Sequence, residues 1–255
     1  IIIGAGIMGL TMAYTIQTQY PSLDIAIIEK ESEVACHASG RNSGILHAGF
    51  YYSPDSLKAK LTAEGNKLMK EFCKKNRIKV LETQKLVVAQ NKEELSTLLE
   101  LYDRGKKNNV ELKLISEDEV KKIEPQSKTY KKALFSPSTA SVNPKEVCLA
   151  LKANLINNNV RFYFDETVTS VNIKALKTKS HHFKFHYLIN CAGLYADTIA
   201  HQQGVGKRYM MLPFKGLYLK YTGQKKTLKT NVYPVPNIKN PFLGVHYTVT
   251  ANSDI

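Results

Sequence analysis

The chain has 255 residues, 43% of them hydrophobic, which suits one large α/β domain or two smaller ones with a globular core. Lysine and arginine (36) outnumber the acids (22) for a formal charge of +14. The basic residues are scattered and do not interleave with aromatics, so nucleic acid is excluded as a partner. What remains is an anionic substrate, an anionic membrane surface met peripherally, or a lysine-rich proteome bias. No apolar run reaches the ~18 residues of a membrane span, and the opening isoleucines lack the cationic flank of a signal peptide. Cys36, Cys73, Cys148 and Cys191 form no C-x-x-C pair, so no metal site is expected and reduced thiols are.

Ile1-Ile2-Ile3 runs into Gly4-Ala5-Gly6-Ile7-Met8-Gly9, an apolar strand feeding a G-x-G-x-x-G turn. Gly4 is assigned the tight turn, Gly6 the close approach of a pyrophosphate, and Gly9 the packing of helix on strand. A second apolar run, Asp24 to Ile28, ends in Glu29, an acid placed for ribose hydroxyls. This predicts a βαβ dinucleotide site in which Lys30 either flanks adenine or phosphate or stays a solvated charge. A polar, loop-like stretch follows to about Pro54. A helix is predicted over 55–76 with Leu57, Leu61, Leu68 and Phe72 apolar, a strand over 84–89, and a helix over 92–107. Ser116-Glu117-Asp118-Glu119 reads as a capping box. Asn143-Pro144-Lys145-Glu146 starts a helix that runs to about Asn158. Strands are expected over 160–164, 167–173 and 187–191, a helix over 194–201, and further strands over 210–221 and 231–250.

A dinucleotide βαβ unit at the start and a return to similar strands near residue 190 imply interleaved domains. Nicotinamide dehydrogenases usually complete their cofactor fold contiguously, so this order resembles flavoproteins of the D-amino-acid oxidase kind, and the resemblance implies an α/β fold: a Rossmann-type FAD-binding domain (1–83 and 143–208) interleaved with an antiparallel-sheet substrate domain (84–142 and 209–255), truncated at the C-terminus. Both ends read as cut, since there is no initiator Met and the chain stops soon after a strand-like segment.

The block Ser39-Gly40-Arg41-Asn42-Ser43-Gly44-Ile45-Leu46-His47-Ala48-Gly49-Phe50-Tyr51-Tyr52, with Pro54 and Ser56 to Leu61, resembles the L-2-hydroxyglutarate dehydrogenase/oxidase family of FAD enzymes. Three later blocks agree: Asn190 to Asp197, Leu212 to Tyr218, and Val232 to Pro236 with Pro241 to His246. The resemblance covers essentially the whole chain, although family members continue for well over a hundred further residues. It implies non-covalent FAD held at Gly4, Gly6, Gly9, Glu29, Lys30, Ser39, Arg41, Asn42, Ser43, Val168, Ala192 and Gly193.

The resemblance further implies oxidation of L-2-hydroxyglutarate, a small dicarboxylate 2-hydroxy acid, to 2-oxoglutarate by hydride transfer to flavin. Electrons then pass to a quinone, a carrier protein or oxygen. Hydroxyl-proton removal calls for a base titrating near neutrality, and histidine suits it. His47 is the first candidate and His246 the second, with a residue outside this chain as the third. The substrate carboxylates call for cations or several donors, for which Lys58, Lys215, Tyr51 and Tyr233 are candidates beside surface exposure or core packing. His181, His182 and His186 read as a solvated hairpin. The implied location is cytoplasmic, peripheral on the inner membrane, or mitochondrial in a eukaryote. The alternatives are a related flavoenzyme acting on glycerol 3-phosphate or an amino acid, and an inactive FAD-binding remnant.

Overall fold

The computed structural model describes residues 1–223, 228–237 and 244–255. Pro241, Phe242 and Leu243 of the Pro241–His246 block therefore lie outside the described residues, as does part of the strand expected over 231–250. In chain order the elements are β1 (Ile2–Ile3), α1 (Ile7–Gln19), β2 (Ala26–Ile28), β3 (Ile45–Leu46), α2 (Leu57–Lys75), β4 (Val80–Leu81), β5 (Lys85–Val88), α3 (Lys92–Lys107), β6 (Lys113–Ser116), α4 (Glu117–Ile123), β7 (Lys132–Ser136), β8 (Ala140–Val142), α5 (Pro144–Asn157), β9 (Arg161–Tyr163), β10 (Ser170–Val171), β11 (Ala175–Lys177), β12 (His182–Lys184), β13 (Ile189–Asn190), α6 (Ala196–Gln202) and β14 (Asn231–Pro234).

The chain forms two compact units, 1–42 with 144–218 and 43–143 with 219–255. The first switch falls at 42/43, not at the expected 83/84. The reason is strand pairing: β3 and β4 both pair antiparallel with β8, which fixes residues 43–83 in the second unit. The last switch also moves, from 208/209 to 218/219. The stretch after α6 is tied back to it, since Asp197 Oδ2 accepts from Met211 N at 2.8 Å and His201 Nε2 lies 3.1 Å from the Tyr209 carbonyl.

Unit 1 is built on a parallel sheet of order β13-β1-β2-β9. Its two inner strands, β1 and β2, are isoleucine-rich and buried, as parallel strands covered on both faces require. Ile3, Ile28, Val171, Leu176 and Ile199 form a core cluster, and α1 packs on α5. A small antiparallel sheet, β10-β11-β12, carries the His181–His186 stretch as the expected hairpin.

Unit 2 holds a four-stranded sheet, β14-β5-β7-β6, antiparallel except for the β14/β5 pair, and the three-stranded sheet β3-β8-β4. Its helices are capped by their own sequence. Ser56 Oγ accepts from Ala59 N at 3.2 Å, Asn91 Oδ1 from Glu94 N at 2.9 Å, and Ser116 with Glu119 completes the capping box.

Two expectations fail here. The apolar stretch over 210–221 forms no strand, and its side chains are exposed. Apolar alternation favours a strand only where a neighbour supplies the ladder hydrogen bonds, and no described strand pairs with this stretch. Helix α2 has its expected span, but Leu57, Leu61 and Leu68 face solvent. The buried face carries Ala59, Asn66 and Cys73 instead. A small-residue face is needed because Gly49, at φ +97°, approaches so closely that an added Cβ would lie 3.2 Å from the Ala59 carbonyl oxygen.

Candidate functional site

In unit 1 the β1–α1 turn has the geometry its glycines predict. Gly4 has φ +101°, and a Cβ there would fall 2.4 Å from the Cys191 carbonyl oxygen. A Cβ on Gly9 would fall 1.9 Å from the Gly4 carbonyl oxygen, so only glycine lets α1 start this close to β1. Gly6 is the N-cap of α1 and no side chain caps it. Ser39 Oγ accepts from Ile7 N at 2.9 Å, which brings the polar loop against this turn. Apart from that serine, a Cβ on Gly6 would meet nothing within 4 Å.

Glu29 has a part that the spacing argument did not supply. Its Oε2 accepts from Ala5 N at 2.7 Å and its Oε1 from Glu31 N at 3.0 Å. The carboxylate thus braces the turn, and its remaining lone pairs are available to hydroxyl donors. Lys30 is ion-paired to Glu31 at 2.5 Å, with its Nζ 5.0 Å from the Tyr195 ring centroid. Lys30 and His37 together pull the Glu31 carboxyl down to about 2. Arg41 and Asn42 are exposed, and Asn42 Nδ2 donates to the carbonyls of Ala38 and Ser39 at 3.0 Å. Val168 and Ala192 pack against the unit 1 core. Gly193 has φ +58° with open space where a side chain would be. Ser43 begins unit 2.

A helix N-terminus entered through glycine backbone, with Ser39 on its first N–H, an acid at the end of β2 and an open glycine after β13 fit a dinucleotide cofactor. The turn would hold its pyrophosphate and Glu29 its ribose.

Unit 2 brings together four of the residues proposed from sequence, around one that was not. His47 follows β3, Tyr51 lies in the same loop, Tyr233 is on β14, and His246 lies beyond the end of β14. At their centre is Lys85, the first residue of β5 and 0% exposed. Lys85 Nζ lies 2.9 Å from His47 Nδ1. It also sits 4.0 Å from the Tyr233 ring centroid, 5.2 Å from that of Tyr51 and 5.9 Å from that of Phe50. Tyr233 packs edge-on to His47 and lies against His246 with the rings tilted by 33° and their centroids 4.2 Å apart.

No described carboxylate pairs with Lys85. Burial pushes its amine down to about 7, because a desolvated ammonium is costly even with aromatic faces around it. Burial, then Lys85 and His246, push the His47 imidazole down to about 3, so it is neutral at ordinary pH. The Tyr51 phenol is driven above its ordinary value by burial, and its Oη is buried without a hydrogen-bond partner.

The backbone around His47 is held from both sides. Asn66, on the buried face of α2, donates to the carbonyls of Leu46 (2.9 Å), His47 (3.2 Å) and Ser138 (3.3 Å). From the end of α3, Asn108 Nδ2 donates to the carbonyls of Gly49 (3.1 Å) and Tyr52 (3.0 Å), and Arg104 to that of Tyr51. The start of β5 is fixed by Asn231, which donates to Thr83 Oγ1 and the Gln84 carbonyl at 2.7 Å and accepts from Val249 N at 2.8 Å. Two sequence candidates stay outside this cluster. Lys58 is exposed, 5.4 Å from the Tyr52 ring centroid, and Lys215 lies on the exposed stretch of unit 1. The signal that could have found Lys85 is its place in the buried run Lys85-Leu86-Val87, where a lysine is out of character.

The chain matches the DAO family, FAD dependent oxidoreductase, over residues 1–255. It is 38% identical to the mitochondrial L-2-hydroxyglutarate dehydrogenase of Mus musculus over 264 residues, 96% of this chain and 57% of that protein. It is 35% identical to the enzyme of the same name from Homo sapiens over 273 residues, 100% of this chain and 59% of that protein. The chain thus spans less than two thirds of the length of these relatives. Among solved structures it resembles the L-alpha-glycerophosphate oxidase of Mycoplasma pneumoniae with FAD bound, with a TM-score of 0.84 at 24% identity, covering 99% of this chain and 68% of that one. It also resembles the glycine oxidase of Geobacillus kaustophilus, with a TM-score of 0.77 at 18% identity, covering 93% and 67%. With the dinucleotide turn on unit 1 and this agreement along its whole length, the chain belongs to the DAO family of FAD-dependent oxidoreductases.

Proposed function

We propose that this protein oxidises L-2-hydroxyglutarate to 2-oxoglutarate. The observation that carries the reaction type is His47, a neutral, half-buried imidazole whose Nδ1 is held 2.9 Å from Lys85 Nζ. The names of the relatives that are 35–38% identical support the substrate. FAD, when bound, supplies the acceptor for the hydride leaving C2 of the substrate. The chain's own residues do the rest. The turn at Gly4, Gly6 and Gly9, with Ser39 and Glu29, binds and orients the cofactor; Arg41, Asn42, Ser43, Val168, Ala192, Gly193 and Lys30 are proposed to flank it. His47 Nε2 takes the C2 hydroxyl proton, and Asn66 and Asn108 hold the backbone that aims it. His246 acts through Tyr233, whose ring it packs against. The orphaned Tyr51 hydroxyl is a donor for a substrate oxygen, and Lys58 and Lys215 are reserve cations for the carboxylates.

No helix of the described residues is long and apolar enough to cross a membrane. A mitochondrial location, following the names of the relatives, is the proposal for a eukaryotic source.

The test is anaerobic reduction of the flavin-loaded protein, followed by its absorption. Reduction by L-2-hydroxyglutarate, and not by the D-enantiomer or glycerol 3-phosphate, is expected. Reduction by glycerol 3-phosphate or glycine in preference would overturn the substrate, and no reduction by any of these would leave a cofactor-binding module.

A further inference from the structure

We infer that Lys85 is the proton reservoir of His47: as His47 Nε2 takes the hydroxyl proton, His47 Nδ1 hands its own proton to Lys85 Nζ. This rests on the reading of His47 as the base. The bonds balance. The substrate O–H breaks and an Nε2–H forms; the Nδ1–H breaks and a third N–H forms on Nζ. The imidazole is neutral before and after with its tautomer reversed, and the added charge rests on the ammonium. The electron pair of the C2–H bond leaves as hydride to the FAD, and C2=O forms.

Three observations carry this. The first is contact: among the described residues the Lys85 side chain hydrogen-bonds to His47 Nδ1, at 2.9 Å. The second is enclosure. Lys85 is 0% exposed on a strand flanked by β14 and β7, so it acts through His47 and does not touch substrate itself, which makes it a positioning residue. The third is the absence of a described acid. A carboxylate beside a catalytic imidazole would hold Nδ1–H permanently. Here the groups facing Lys85 are His47, Phe50 and Tyr51 from the loop after β3 and Tyr233 from β14, with His246 beyond Tyr233. None is an anion at neutral pH.

An amine can play both parts. As an ammonium it donates to Nδ1, which puts the imidazole proton on Nε2 and turns the base off. As a neutral amine it accepts from Nδ1–H, which frees the Nε2 lone pair. A single proton therefore sets whether His47 offers a donor or a base. The depression of the Lys85 amine to about 7 by burial places that change near neutrality.

The experiment is a pH titration of the flavin-loaded protein by NMR, with isotope-labelled lysine and histidine. The Lys85 signal is assigned by its contact to the Tyr233 ring and by its loss in Lys85→Arg. One lysine side chain should titrate near neutrality, and the His47 tautomer should reverse at the same midpoint. In stopped-flow reduction by L-2-hydroxyglutarate, the wild-type rate should rise with pH and level off through that midpoint. Lys85→Arg, charged at every pH, should fall by about a hundredfold throughout, which is in the range for loss of general-base catalysis. Lys85→Met should lose the neutral limb. A His47 tautomer that does not change, or Lys85→Met with the wild-type limb intact, overturns the inference. The tautomer switch needs no substrate. If it is seen in a protein that L-2-hydroxyglutarate does not reduce, the substrate reading fails and the Lys85 pairing stands. Reduction without the switch removes the pairing alone.

Discussion

The dinucleotide turn of unit 1 is made of backbone, whereas the His47 cluster of unit 2 is made of side chains gathered from separate strands and loops. At the turn, what matters is where a Cβ cannot be, as at Gly4 and Gly9. In the cluster, what matters is which side chains meet: buried Lys85 from β5 and Tyr233 from β14, with half-buried His47 and Tyr51 from the loop after β3. The difference teaches that the first site tolerates almost no substitution at Gly4 and Gly9, while the second is expected to be retuned one side chain at a time.

The largest effect should come from breaking the backbone site. Gly9→Val places a Cβ against the Gly4 carbonyl, where no side chain can yield. Overpacking of this kind costs about 1–3 kcal/mol and occasionally more, and flavin content at purification should fall with it. If flavin content were unchanged, the turn would not be the cofactor's seat.

The next effect is one of pH. Lys85 has a folded value depressed to about 7 from 10.5. Between those values the unfolded chain binds more protons than the folded one, so stability rises with pH across the window, by at most about 1.4 kcal/mol per pH unit. The burial penalty is present in full below about pH 7 and disappears above 10.5. Chemical denaturation of Lys85→Met should show that rise abolished and the variant more stable than wild type at acid pH. An unchanged slope would mean that Lys85 is charged throughout.

Asn66→Ala leaves the carbonyls of Leu46, His47 and Ser138 without their shared donor. The expected cost is about 1–3 kcal/mol, with slower flavin reduction and normal flavin content, read by thermal melting and stopped flow. The smallest effect is at Ser39→Ala, which removes the acceptor for Ile7 N. A loss of about 1 kcal/mol is expected, together with weaker FAD binding and an unchanged pH profile for reduction, by flavin fluorescence titration and stopped flow.

The same contrast explains what the sequence could reveal. The glycine turn, the βαβ start and the capped helices α3 and α4 were legible because each is set by residues a few positions apart. His47, Tyr51, Tyr233 and His246 were legible one at a time, through the blocks that contain them. Their meeting was not, since it depends on the pairing of β5 with β14. Lys85 carries no local mark beyond its apolar neighbours, and it is buried because its strand is an inner one. The leucines of α2 misled for the opposite reason. They have helical spacing, but the loop at Gly49 and the carbonyls near His47 need Ala59 and Asn66 on the buried face. The strand expected over 210–221 had a suitable pattern and no described partner.

The central claim is that His47 takes the hydroxyl proton of the substrate. The most direct measurement is stopped-flow anaerobic reduction of flavin-loaded His47→Asn by L-2-hydroxyglutarate. The account predicts normal flavin binding and a reduction rate lower by about a hundredfold or more, the usual contribution of a general base. Reduction at the wild-type rate, with flavin bound, would contradict it.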